Sequence, residues 1–373
     1  MRLALKVALA LFGFAAPLAF AEPAAAAPMD IAPERLVIQP SGLTMGDTCQ
    51  TAAANAKAYL QSGRYSSTMF PTCSPDNASW RNLMNELGMV IAPTAFHPAR
   101  TTGFGGFALT LEASYTSINS NQSVNGVQYW HQGTEGPTNN QTNQSSVVNQ
   151  SPDSIMQVYS LKARKGLPYG FEIVGSLGYV ANTSYVTGGA DIRWAILEGF
   201  RTGPLGYFPD ISVGGGVRTL TGSPKFFLTT VGIDAQISKQ FSIAESGKLT
   251  PYIGYQHVLI YADSTLVDLT PNTNAIQQCG YAGNSTVDGQ PVCRNTATTP
   301  TGATVPLNQD FNNQATFTKA RLYRNRGMAG VNYRFEQLYV AGQFMIDVTD
   351  PDQNAGIVGG RQWTTVLEAG VFF

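Results

Sequence analysis

The chain has 373 residues, and only 13% of them are charged, about half of the ~25% usual in globular domains, while Gly (38), Tyr (16) and Phe (19) are plentiful. With 23 Lys and Arg against 24 Asp and Glu, the net charge of -1 gives no basic field for nucleic acid, and no basic stripe with interleaved aromatics is present. The length allows two soluble domains or one large barrel, and the sparse charge favours the barrel.

Residues 1–21 carry Arg2 and Lys6, then an apolar run, then Ala19-Phe20-Ala21 before Glu22. This is the pattern of a secretory signal with a small-x-small cleavage site. The rival, a transmembrane anchor, needs ~20 apolar residues, and the run falls short. No other stretch approaches that length, so a membrane protein of this sequence crosses with strands, because only helices and closed barrels satisfy their backbone in lipid.

Residues 22–102 read as a linker followed by a small helical region. The chain is rich in Ala and Pro from Glu22 to about Thr48. One helix is predicted over Thr48–Ser62, with Asp47 as cap and Gly63 as stop. A second is predicted over Ser74–Gly88, where Ser74 caps, Pro75 takes the first turn and Trp80, Leu83, Met84 and Leu87 fall at i, i+3, i+4 and i+7. Four cysteines in an exported chain imply two disulfides; proximity pairs Cys49 with Cys73 and Cys279 with Cys293, though three connectivities are formally open. A zinc site is disfavoured by the lack of any C-x-x-C pair and the presence of only His97, His131 and His257, and no cofactor motif is present. So small a hairpin either hangs in the periplasm or plugs the barrel mouth, and its slight core favours the plug.

From residue 103 to 373 the period changes to two. Ten strands are predicted, over 103–118, 155–165, 170–181, 185–198, 210–220, 225–238, 250–261, 317–335, 338–348 and 362–373, with eight or twelve as alternatives and the seventh ambiguous. The fold class is all-β, a transmembrane up-and-down antiparallel barrel with a small N-terminal helical region. Tight links at 166–169 and 336–337 alternate with long polar ones at 119–154 and 262–316, as periplasmic turns alternate with outer loops. Phe104, Tyr115, Tyr169, Phe171, Tyr179, Tyr185, Phe226, Tyr252, Tyr261, Phe335, Tyr339, Trp363 and Phe373 fall near strand ends, where interfacial girdles are expected.

Taking the apolar register as outward leaves Glu112, Lys162, Arg164, Glu172, Asp191, Arg193, Arg218, Asp234, Arg324, Arg326, Arg334, Asp347 and Glu368 facing inward. In a narrow barrel these pair into a structural network; in a wetter one Arg324, Arg326 and Arg334, opposite Asp347, line a selective eyelet. Ten strands lie nearer the filled limit. No catalytic set emerges. His257 is the one strand histidine, and Leu259 stands where phospholipase- and deacylase-type barrels place Ser; omptin-type proteases, also ten-stranded, use acidic residues with His at the outer rim. The turn with Asp347, Asp350, Asp352 and Asn354 invites calcium, but Ala355 and Arg361 stand where an EF-hand needs Gly and Glu.

The chain ends in RQWTTVLEAGVFF, alternating and closed by Phe373. This ending resembles the C-terminal signature of Gram-negative outer-membrane β-barrel proteins. The resemblance implies an outer-membrane location, Phe373 as the signal read by the barrel-assembly machinery, and lipids and lipopolysaccharide as neighbours. A helical segment ahead of the first strand is also loosely similar to the hatch of the long-chain fatty-acid channel family; that family's Asn-Pro-rich motif is absent, and its binding residues are not carried over. The expected function is a narrow or plugged channel for a small solute. The alternative is a non-conducting structural or surface-recognition barrel acting through its long outer loops.

Overall fold

The computed structural model describes residues 27–38, 74–95, 97–136, 148–199, 207–243, 246–269, 279–280, 292–293, 296–298, 304–306, 314–351 and 356–373. Ten strands form the wall: β1 (Phe107–Ser117), β2 (Ile155–Gly166), β3 (Phe171–Val180), β4 (Val186–Leu197), β5 (Asp210–Thr221), β6 (Phe226–Ser238), β7 (Gly247–Ser264), β8 (Ala320–Phe335), β9 (Leu338–Asp347) and β10 (Trp363–Phe372). Each pairs antiparallel with the next, and β10 returns to β1 with Thr364 opposite Thr116 and Phe372 opposite Ala108, so the sheet closes on itself. A short extra strand, Phe241–Ile243, pairs only with the start of β7. The predicted strand count and order hold.

Alternation determines which side of the wall each residue meets. Leu111, Leu161, Ile173, Leu177, Ile192, Phe227, Ile233, Ile253, Val340 and Leu367 point outward and are exposed, whereas Thr110, Glu112, Lys162, Arg164, Glu172, Arg193, Gln256 and Glu368 are buried inside. A wall greasy outside and polar within is the inverse of a soluble barrel and suits lipid. Among the described residues no helix is long and apolar enough to cross a membrane. Links 167–170 and 336–337 are tight, with Tyr169 and Glu336 in the left-handed region (φ 61° and 52°), and lie at the end that holds Phe373. The long links 118–154 and 265–319 leave from the opposite end, which is therefore the outer one.

Four aromatics expected in the girdles face the other way: Tyr185, Phe226, Tyr252 and Tyr339 are all buried in the lumen. They share the inward register, and each meets something there. Phe226 packs edge-on against Trp80, and the Tyr252 hydroxyl donates to Gln343.

The lumen is occupied by the chain that precedes β1. Helix α1 (Asn77–Ile91) lies inside the outer half of the barrel. Its cap is Asp76, whose carboxylate accepts from Ala78 N (3.1 Å) and Ser79 N (3.0 Å), and not Ser74, which with Pro75 is extended and paired with Val37–Ile38. The helix runs past Gly88 to Ile91 and stops at Ala92 (ψ 146°), because Pro93 bars the residue before it from helical backbone. Gly88 does not stop the helix; a Cβ there would sit 2.5 Å from Ile260 Cγ2, so it permits a close approach to the wall.

Trp80, Leu83, Met84 and Leu87 pack on Val258, Ile260, Leu322, Leu228 and Phe226, each burial contributing ~1.5–3 kcal/mol. Because the inner face of β7 is apolar there, both of its faces are greasy and its alternation is hard to read. Below the helix, residues 92–95 and 97–102 run as an irregular strap to the periplasmic end. The predicted helix at 48–62 lies outside the described residues.

Candidate functional site

The strap has no ladder of its own, so its backbone groups must be satisfied by the wall. Its carbonyls meet cations and amides. Pro93 O accepts from Arg326 Nη2 (2.5 Å) and Gln256 Nε2 (3.0 Å), Thr94 O from Gln343 Nε2 (2.8 Å), and Ala95 O from Gln236 Nε2 (2.7 Å). Arg193 Nη1 donates to His97 O (2.9 Å) and Pro98 O (3.0 Å). Its amides meet oxygens: Ala99 N donates to Ser238 Oγ (3.1 Å), Thr101 N to Glu198 Oε1 (2.7 Å) and Thr102 N to Glu172 Oε2 (2.8 Å). Pro93 and Pro98 bring no N–H that needs a partner.

The remaining charge is neutralised between wall residues. Lys162 bridges Glu112 at 2.5 Å and donates to Thr94 Oγ1 at 2.7 Å. Arg164 holds Glu172 at 3.1 Å, Arg218 holds Asp191 at 2.6 Å, and Arg193 holds Asp234 at 3.4 Å. Arg324 pairs with Asp347, which also accepts from Gln362 N. Glu368 accepts from the Tyr339 hydroxyl at 2.5 Å. Apart from Glu368 and Arg334, the predicted inward charges thus divide between mutual pairs and the strap.

The eyelet of Arg324, Arg326 and Arg334 does not assemble. Arg334 lies one residue before the periplasmic end of β8, 4.2 Å from the Phe372 ring centre, with Nε donating to Glu336 O. Arg326 is spent on Gln256 and the strap. Residues on one strand share a face but are spread along it, and the strap separates them.

At the outer end α1 fastens three connections. Glu86 accepts from Asn119 N (2.9 Å), the Tyr129 hydroxyl (2.5 Å) and Trp130 Nε1 (2.7 Å), the last two on the short helix α2 (Tyr129–Gly133). Burial and the Glu86 carboxylate push the Tyr129 hydroxyl well above its usual range. Asn82 Oδ1 accepts from Val358 N (2.8 Å), and Asn77 Oδ1 from Thr318 N (2.7 Å). Residues 27–38 lie across the mouth, where Lys225 bridges Glu34 (2.7 Å) and Glu135 (3.1 Å). A groove of about 660 Å³ opens here, lined by Leu36, Ile38, Asp76, Val124, Asn125 and His131.

His257 stands on the outer wall with Nδ1 2.6 Å from Asn325 Oδ1, an amide and not a Ser or Asp. Asp347 is buried and Asp350 pairs with Arg361 (2.7 Å) at the surface, so these two do not converge, while Asp352 and Asn354 lie outside the described residues; among the described residues no acidic or histidine group fit for a metal appears. Cys49 and Cys73 also lie outside the described residues. The backbone sets Cys279 opposite Cys293 in a short antiparallel ladder, and nothing is described of their side chains. Sequence reasoning missed Thr94, Glu198, Gln236, Gln256 and Gln343; the three glutamines share the inward register with the charges, which is the signal that marks them.

No family model and no curated protein matches the chain. Among solved structures it is similar to the attachment invasion locus protein Ail of Yersinia pestis, with 10% identity over 72% of this chain and 99% of that one and a TM-score of 0.23. It is similar also to the outer membrane protease OmpT from Escherichia coli (7%, 72% and 96%, TM-score 0.30) and to an outer membrane channel from Pseudomonas putida F1 (9%, 75% and 99%, TM-score 0.29). Likenesses this distant carry no argument about the site. The closed antiparallel ring, its apolar outer wall and its polar interior make the chain a Gram-negative-type outer-membrane β-barrel, resident in the outer membrane.

Proposed function

We propose that the protein is a barrel sealed by its own N-terminal chain, working at the outer surface through its mouth and long loops and not by passing a solute. The space left beside the strap supports this reading. One cavity there, bounded by Pro93, Ala95, His97, Arg193 and Asp234, has a volume of about 10 Å³, which is at the limit for a single water of ~10–15 Å³. The mouth groove is far larger. Lipopolysaccharide is the neighbour these outer connections would meet, and the barrel-assembly machinery the reader of Phe373. A disulfide between Cys279 and Cys293, which stand opposite each other in a short ladder, would contribute ~3 kcal/mol to ordering the longest loop.

A second reading is a narrow channel in which the strap is a gate. One observation favours it: the wall around the strap is lined with paired charges and amides, so it would remain wettable if the strap left. Planar-bilayer conductance of the full protein and of residues 103–373 separates the two. Silence from the full protein with current from 103–373 supports the sealed barrel; steady current from the full protein overturns it.

A further inference from the structure

We propose that residues 27–38 and 74–76, which precede α1, are held on the outer face of the membrane, so that the barrel is a self-threaded mount that presents this N-terminal segment at the surface. The inference rests on the assignment of the tight turns to the periplasm made above, and concerns only the side on which this segment lies.

The direction of α1 carries the argument. Asn77, at its start, is bound to Thr318 at the outer base of β8. Gly88, three turns on, lies against Ile260 within the wall. The strap then descends past Gln256, Gln343 and Arg193 to Glu172, and the chain enters β1 beside Phe373, where Phe107 N donates to Phe373 O at 3.3 Å. This route is a full crossing from the outer to the periplasmic end.

The described chain before the helix agrees. Met29 N donates to Asn182 O (3.0 Å), Ile31 N to the Tyr185 hydroxyl (2.6 Å), Ala32 N to Gly133 O (2.7 Å) and Ser184 N to Asp30 Oδ1 (2.7 Å), all on outer connections or their bases. Ile38 and Ser74, paired with each other, both lie at this end. Ten strands alone return the chain to the side it started from. The lumen crossing adds one more passage, so Ala27–Ile38 and Phe373 stand on opposite sides of the membrane.

Cysteine accessibility tests the proposal. Ile38→Cys probes the segment (Ile38 is 54% exposed), Asn125→Cys the first outer loop, and Tyr169→Cys the periplasmic turn (Tyr169 is 89% exposed). Cells making the full protein are treated with a membrane-impermeant maleimide, intact or lysed, and the signal of the parent chain is subtracted. Ile38→Cys and Asn125→Cys should label equally in intact and lysed cells, and Tyr169→Cys only after lysis. Ile38→Cys labelling with Tyr169→Cys, or only after denaturation, overturns the proposal while leaving the sealed barrel intact. Asn125→Cys and Tyr169→Cys exchanging behaviour overturns the surface placement too, and shows that the failure lies in the sidedness on which the proposed function also depends.

Discussion

Glu112 and Glu368 stand directly opposite each other across the seam between β1 and β10, both buried, and each carboxylate is held by a different partner, Lys162 for one and the Tyr339 hydroxyl for the other. Lys162 is the cation bonded directly to this pair of carboxylates. Lys162→Met leaves two buried carboxylates facing each other without it and should destabilise the folded barrel by ~3–5 kcal/mol, read as a lowered denaturant midpoint in detergent. Adding Glu112→Leu should recover most of the loss.

The close approach of α1 to β7 is expected to tolerate no side chain. Gly88→Leu forces the helix off Ile260 and should cost ~1–3 kcal/mol, with current appearing in planar bilayers as the plug shifts. Ile260→Ala in the same chain opens space and should restore both stability and silence, the coupling between the two sites being ~0.5–3 kcal/mol. Unchanged conductance in Gly88→Leu would mean that the helix does not seal the pore.

Removal of a strap donor should loosen the strap locally. Arg193→Leu strips the donor from the carbonyls of His97 and Pro98 and leaves Asp234 without its cation. An unmet buried acceptor costs ~1–3 kcal/mol, and the stranded carboxylate adds to that. Brief openings in single-channel records, with the same far-ultraviolet spectrum as the parent, are the expected result.

The docking of residues 27–38 across the mouth should be lost in alkali. Burial lowers the pKa of the Lys225 ammonium, but Glu34 and Glu135 more than offset this and leave it above the usual 10.5. A raised folded value means that the contribution of Lys225 is fully present below 10.5 and disappears as pH rises through that higher value. Burial pushes the Glu135 carboxyl above its usual 4.5, with Lys225 opposing, so near neutrality Glu135 works against docking and mild acid relieves it. A spin label at Ile38→Cys should stay immobile from mild acid through neutrality and become mobile only above about pH 10.5. Lys225→Met should make the label mobile at neutral pH.

The wall was legible in the sequence because lipid imposes a period of two, which β1 carries throughout and which β6 and β10 carry apart from Phe226, Leu228 and Val366 on the inner face. The filling was not. The strap from Pro93 to Thr102 has no period, since its partners come from side chains on strands far apart in the chain, such as Glu172, Gln256 and Gln343. Tyr185 and Phe226 look like girdle residues because only the occupant of the lumen turns them into core, while Tyr252 and Tyr339 turn inward to bond Gln343 and Glu368 of the wall. The alternative of an eyelet that includes Arg334 is not met, because Arg334 lies next to the periplasmic end of β8, beside Phe372, away from Arg324 and Arg326.

Phe107 and Phe373 exchange backbone hydrogen bonds at the join where the first and last strands meet. With a bulky helix and a multiply anchored tether already inside, that join has to zip last in biogenesis, around its contents. Extraction of the contents afterwards means tearing the hoop or rupturing many anchors at once. Such a molecule should resist unfolding by the height of its kinetic barrier, and it should persist in the membrane well beyond what its equilibrium free energy alone would suggest.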